Sequence, residues 1–256
     1  MNQAEYFIKD LWSLIDELNC PTRKNQMRNL FEYLDRFGQL TDIPASCYTH
    51  GSYRGGFVDH SVRVTKTALK LHEILLPTLN RDSVVTCALL HDLSKNGFIT
   101  ARGVVSRYQE NANFDRRREA SAYNKTYNYN PHQPYFPLGI SSGIIAAKAI
   151  DLTWSEIMAI TASDGQYIGE NRSFAHRETP LLILITMADN FSGNVLEKGL
   201  DPNLFNTPEF IFRNITAGDQ DGNPSIDTQA KNGSPLHEVG CRGSDQLPPG
   251  HSSPID

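Results

Sequence analysis

Four ionisable positions fall inside stretches of sequence that are otherwise apolar. His60 lies in GGFVDHSVRV, the adjacent pair His91-Asp92 ends VVTCALLHDLSK, and Asp189 lies in LLILITMADNF. A histidine or aspartate on an apolar helical face costs free energy unless it is hydrogen-bonded, ion-paired or bound to a metal. An adjacent His-Asp can give one ion an imidazole nitrogen and a carboxylate oxygen. Single ligands from two further helices complete a facial set and leave positions open for water and phosphate. Lys95, three residues after Asp92 and so about one turn on, can place positive charge beside that phosphate. Each residue has an ordinary alternative: a satisfied core histidine, an aspartate that caps or bridges helices, a solvated lysine. Their joint occurrence, each in an apolar helical stretch, points to metal-assisted hydrolysis.

The elements that must position these residues are helical. Residues 4–18 and 24–37 carry apolar stripes at helical spacing, with Pro21 between them read as the end of the first. A glycine-bearing approach, Gly51-Ser52-Tyr53-Arg54-Gly55-Gly56, leads into a helix over 57–76, and Val84 to Leu93 reads as a buried helix. Further helices are expected over 141–151, over 153–162 from the Thr153/Glu156 capping box, and over 179–197 with Pro180 in the first turn. Residues 98–136 lack sustained periodicity and read as a long loop with a small hairpin. Its Tyr123, Tyr127, Tyr129 and Asn130 suit either a cover over substrate or a plain surface excursion. Six or seven helices with almost no strand signal make the expected fold all-α. The expected organisation is a helical pair over 1–38 packing on the core, a main domain over 39–213, and a disordered tail over 214–256, where apolar residues are too sparse to offset ordering entropy.

Composition narrows the partners. A formal net charge of −5 and a pI near 5.9 give no general attraction for duplex nucleic acid. The one dense basic run is Arg116-Arg117-Arg118. Cys20, Cys47, Cys87 and Cys241 form no CxxC motif, so neither a zinc knuckle nor a disulfide framework is indicated and reduced thiols in the cytoplasm are expected. No basic-apolar leader and no run of about 18 apolar residues is visible, so neither secretion nor a membrane span is expected.

The order H…HD…D in an all-α chain resembles the HD-domain phosphohydrolase superfamily. PASCYTHGSYRGGFVDHSVRV is similar to the family stretch in which a Pro-Ala-Ser turn, a histidine and a Gly-Gly pair precede the first metal histidine. LLHDLSK resembles its leucine-rich helix ending in His-Asp, a small residue and lysine. FPLGISSGIIAAKAIDLTWSEIMAI is similar to a region found in HD hydrolases that include a group common in phages and the HD-type 3′-to-5′ exoribonucleases. The resemblance covers about residues 40–200. It implies a compact multi-helix HD bundle with His60, His91, Asp92 and Asp189 as metal ligands. It further implies Asp92 and Lys95 in catalysis, and His50, Arg54, Lys95 and Asp164 near substrate. His50 and Asp164 also have structural readings, the latter as a turn aspartate in Ser-Asp-Gly. Where two-metal relatives carry further histidines this chain has Ile140 and Ser163, which points to one ion: manganese or magnesium first, with nickel, cobalt, iron or zinc also compatible.

The expected activity is therefore cleavage of a phosphoester or phosphoanhydride of a small nucleotide by attack of metal-bound water. One rival is a single-strand 3′-to-5′ exonuclease, with Arg102, Arg107 and Arg116 to Arg118 lining a channel whose tyrosines stack on bases. The other is a non-catalytic nucleotide-binding or interaction protein that keeps a degenerate HD site. Oligomeric state is not legible.

Overall fold

Apolar residues recurring at helical spacing bury one face of each helix, and the buried faces meet in one core. The computed structural model describes residues 3–198 except 101, 134 and 135, and these lie in one compact unit. The tail expected over 214–256, the boundary at 213 and Cys241 lie outside the described residues. Helix α1 (Gln3–Asp16) buries Phe7, Leu11, Leu14 and Ile15, and α2 (Pro21–Arg36) buries Met27, Leu30, Phe31 and Leu34. Both faces join the core that contains Phe57, Leu89 and Ile185. Pro21 does not end the first helix. It occupies the first turn of α2, where an N–H would have no intrahelical acceptor and the fixed φ of proline suits the helix.

Short α3 (Gln39–Asp42) precedes α4 (Gly56–Leu75), the longest helix described, which packs on α1, α5 (Arg81–Leu90) and α8 (Pro180–Phe191). Side chains fix the starts of two helices. Asn80 Oδ1 accepts from the N–H groups of Asp82 (2.8 Å) and Ser83 (3.2 Å) at the head of α5. At α7 (Trp154–Thr161), Thr153 Oγ1 accepts from Glu156 N at 3.3 Å and Glu156 Oε2 accepts from Thr153 N at 2.7 Å, the expected capping box. Buried Glu156 also takes Arg23 Nη1 of α2 at 2.6 Å, so one carboxylate caps α7 and ties it to the N-terminal pair.

Between α5 and α6 (Leu138–Ala149) the chain is more ordered than its periodicity indicates. Strands β1 (Phe98–Thr100) and β2 (Gly103–Val105) form one antiparallel hairpin, with Phe98 opposite Val105. Strands β3 (Tyr108–Glu110) and β4 (Tyr127–Tyr129) form a second, with Tyr108 opposite Tyr129. Three-residue strands are too short to show an alternating pattern. The intervening loop closes on Asn124, whose Nδ2 donates to the carbonyls of Asp115, Arg118 and Glu119 at 3.0 to 3.2 Å. The backbone N–H groups of Thr126 and Tyr127 both donate to Cys47 O, at 3.0 and 3.1 Å. Cys47 and Cys87 are buried free thiols and Cys20 is exposed and free.

The segment before α4 turns back on itself. Ala45 N donates to Gly51 O at 2.8 Å, and a Cβ added at Gly56 would come 1.9 Å from that same oxygen. The Gly-Gly pair is therefore required by close backbone approach, and Gly55 enters the helix at φ 78°, a conformation that favours glycine. Gly56→Ala is expected to displace the first turn of α4 and cost about 3 kcal/mol in urea unfolding. Gly169→Ala, with nothing within 4 Å of the added carbon, should change stability by less than about 0.5 kcal/mol. Equal stabilities for the two variants would refute the packing account.

Candidate metal centre

Three helices bring four side chains to one point. His60 lies in the second turn of α4, His91 directly follows α5, Asp92 opens the 3₁₀ turn Leu93–Asn96, and Asp189 sits in the last turn of α8. His60 Nε2 is 3.2 Å from Asp92 Oδ2, 3.1 Å from Asp189 Oδ1 and 3.3 Å from His91 Nε2. His91 Nε2 is 3.2 Å from Asp92 Oδ2 and 3.7 Å from Asp189 Oδ1. Two donors each about 2.1 Å from one ion lie about 3.0 Å apart at a right angle and about 3.4 Å apart at a tetrahedral angle. The spacing and the mixed nitrogen and oxygen chemistry therefore fit one divalent cation. His60 and His91 are each 1% exposed and Asp92 is 3%.

Both imidazoles are held from behind. His91 Nδ1 lies 2.8 Å from Ala88 O, and His60 Nδ1 lies 2.6 Å from Glu197 Oε1. With Nδ1 donating outward, each ring turns Nε2 towards the other members of the cluster. The turn carrying Asp92 is anchored on α6: Ser94 N donates to Ser142 Oγ at 3.0 Å and Ser94 Oγ to Leu138 O at 2.9 Å. Lys95, also buried, pairs with Asp92 Oδ2 from within the same turn.

These groups set one another's charge. Burial disfavours the charged form of every member, and mutual contacts overcome it. His60 is raised well above the usual histidine range by Asp189, Asp92 and Glu197, and His91 is raised to about 9, chiefly by Asp92. Asp92 is held well below the carboxylate range by Lys95 and His91, and Asp189 is held down by the two imidazoles. Asp164, half-buried close enough to feel Asp92 and Asp189, goes the other way: burial and those two negative charges push it up to about 6.

The other sequence candidates distribute unevenly. The His50 ring lies 4.8 Å from that of His60, its Nε2 buried and without a hydrogen-bond partner among the described residues. Burial and the nearby positive charge of Lys95 lower it to about 4. Arg54 is turned outward, paired with Glu110 at 3.0 Å, and lines a surface pocket with Tyr53, Phe114 and Arg116. Ile140 is 40% exposed and Ser163 is buried, donating to Ile160 O at 3.1 Å. Of the hairpin tyrosines, Tyr127 is buried and Tyr123 fully exposed, while Arg107 stacks 5.6 Å from the Tyr129 ring. Glu197 was not visible as a site residue, because it lies beyond the apolar run of α8, in a polar stretch with no periodicity of its own.

A segment of the chain is similar to the dihydroneopterin 2′,3′-cyclic phosphate phosphodiesterase of Methanocaldococcus jannaschii, at 41% identity over 60 residues. The match covers 22% of this chain and 24% of that protein. No family model matches the chain, and no solved structure matches it. Among the described residues, no helix is long and apolar enough to cross a membrane.

The raised histidines set a pH dependence. His91 titrates near 9 in the fold and near 6.5 in an unfolded chain, so its charged form stabilises the metal-free protein fully below pH 6.5 and that contribution is lost as pH rises through 9. A cation held there would need the neutral imidazole, so its binding would strengthen over the same interval. Melting curves should show Tm of the metal-free protein falling between pH 6.5 and 9 while the rise in Tm on adding a divalent cation grows. A metal-free Tm that climbs with pH there would contradict the cluster's electrostatics.

Proposed function

We propose that this chain is a metal-dependent phosphohydrolase of the HD type that binds one divalent cation, manganese or magnesium first, through His60, His91, Asp92 and Asp189. On this reading it cleaves a phosphoester of a small nucleotide-like substrate. The observation that carries the proposal is the convergence of two carboxylates on two imidazoles, with Asp92 Oδ2 and Asp189 Oδ1 each 3.1 to 3.7 Å from the Nε2 atoms of His60 and His91 and buried Lys95 paired with Asp92. The 60-residue similarity to an enzyme named for a 2′,3′-cyclic phosphate supports a phosphodiester or phosphomonoester of that size class. The one-metal count rests on Ile140 and Ser163, whose side chains offer no imidazole where two-metal relatives carry histidine.

A divalent cation bound there supplies Lewis acidity, acidifying water and offsetting phosphate charge. The chain's own residues do the rest. Asp92, fixed by the two imidazoles and Lys95, accepts a hydrogen bond from the attacking water and aims it at phosphorus. Lys95 shifts its charge from Asp92 to a phosphate oxygen as negative charge builds there. Asp164, neutral below about pH 6, donates to a substrate oxygen, and His50 presents its unpaired Nε2 to the same space. Burial of the imidazoles and Asp92 keeps bulk water from screening these contacts.

Phosphate release is to be measured from nucleoside monophosphates, triphosphates and 2′,3′-cyclic phosphates with several divalent ions, beside metal analysis of the purified protein. One equivalent of metal per chain and turnover of at least one small phosphate ester are expected, with His91→Ala and Asp92→Ala reducing turnover to background. Undiminished turnover in either variant would overturn the assignment. Faster release from oligonucleotides than from any nucleotide would replace the small substrate by a single strand, and metal binding without turnover on any substrate would leave a binding protein.

A further inference from the structure

The last described turns of the chain hold a second carboxylate against His60. Helix α8 carries Asp189 and then widens into a π turn over Ser192–Leu196, where Glu197 N donates to Ser192 O at 3.0 Å across five residues. Glu197 follows Asp189 by eight positions. In an uninterrupted α-helix that spacing leaves two side chains about 80° apart, whereas one extra residue in a wide turn reduces it to about 20°. The π turn thus puts Asp189 and Glu197 on one face, and they take opposite edges of the same imidazole: Asp189 Oδ1 lies 3.1 Å from His60 Nε2 and Glu197 Oε1 lies 2.6 Å from His60 Nδ1. The turn is docked where this requires it. Ser192 Oγ donates to Thr67 Oγ1 of α4 at 3.2 Å, two turns along from His60, and a Cβ added at Gly193 would come 3.7 Å from His50 Nδ1. The Glu197 side chain is 6% exposed, so its contact with His60 is shielded from water.

We infer that Glu197 is the positioning residue of the metal centre: it accepts the Nδ1 proton of His60, fixes the tautomer that turns the Nε2 lone pair towards Asp92, His91 and Asp189, and strengthens that nitrogen as a ligand. The π turn is the device that delivers it. This rests on the one-metal reading above. A carboxylate behind a ligating imidazole contributes 10- to 100-fold in metal affinity in metalloproteins generally. The carboxylate needs no contact with substrate to act, so it should alter metal binding before it alters substrate binding.

Three variants separate the possibilities: Glu197→Ala, the near-isosteric Glu197→Gln, which still offers a neutral acceptor to Nδ1, and insertion of one alanine directly before Glu197, which adds a step of about 100° and rotates its side chain away from His60. Two readouts apply, the His60 tautomer by nitrogen NMR in the metal-free protein at a pH where the ring is neutral, and the manganese dissociation constant by competition with a chelating indicator. Wild type should hold His60 with the proton on Nδ1. Glu197→Ala and the insertion should give mixed tautomers and 10- to 100-fold weaker manganese binding, and Glu197→Gln should keep the tautomer with a smaller loss. An unchanged tautomer in folded Glu197→Ala, or manganese affinity within twofold of wild type, overturns the inference. If wild-type protein binds no manganese, the one-metal reading fails by itself, and the tautomer still decides whether Glu197 positions His60.

Discussion

The structure is organised around the cost of removing charge from water. His60, His91, Asp92 and Lys95 are almost fully buried, and an isolated ion there would cost several kcal/mol, a large share of a domain's net stability. No one of them can be placed alone. Each is tolerated because the others stand within about a hydrogen-bond length, and that mutual dependence dictates which faces of α4, α5 and α8 meet. The apolar contacts around the cluster are numerous and individually replaceable, whereas the carboxylate-imidazole contacts admit few alternatives. Hydrophobic burial closes the helices into a bundle, and the charges select one register for it.

Much of this was legible in the sequence for a definite reason. A polar residue in an apolar helical run stands out, so His60, His91, Asp92 and Asp189 could be singled out, and the structure brings those four and Lys95 to one point. The helices came through because long stripes repeat enough times to fix their period, and the Thr153/Glu156 box because capping needs a set spacing. What escaped was carried by short or aperiodic signals. The hairpins are built from three-residue strands, and their anchorage on Cys47 O is a backbone bond that no side chain announces. Pro21 was misassigned because proline is compatible with both the end of one helix and the start of the next, and only the position of the last α1 residue, Asp16, decides between them. Glu197 lay hidden because its alignment with Asp189 depends on a change of helical pitch between them.

The segment from Pro44 to Gly56 shows how backbone and site are joined. Its turn is closed by the bond from Ala45 N to Gly51 O, held from outside by β4 through Cys47 O, and pressed against the glycine that starts α4. His50 rides on this turn, and Ser46 Oγ donates to the His50 carbonyl at 2.7 Å. The hairpin is thereby connected through this turn to His50 and to the start of the helix carrying His60.

The order of the clustered residues along the chain has a consequence for synthesis. His60 leaves the ribosome 137 residues before Glu197, its partner on one ring edge, and Asp189, its partner on the other, emerges only eight positions sooner. Until α8 and the turn after it are made, α1, α4 and α5 can associate through their apolar faces and Asp92 can reach His60 Nε2, but the Nδ1 edge of that ring has no carboxylate to receive it. Closure of the cluster around His60 therefore waits on α8 and the π turn that follows it.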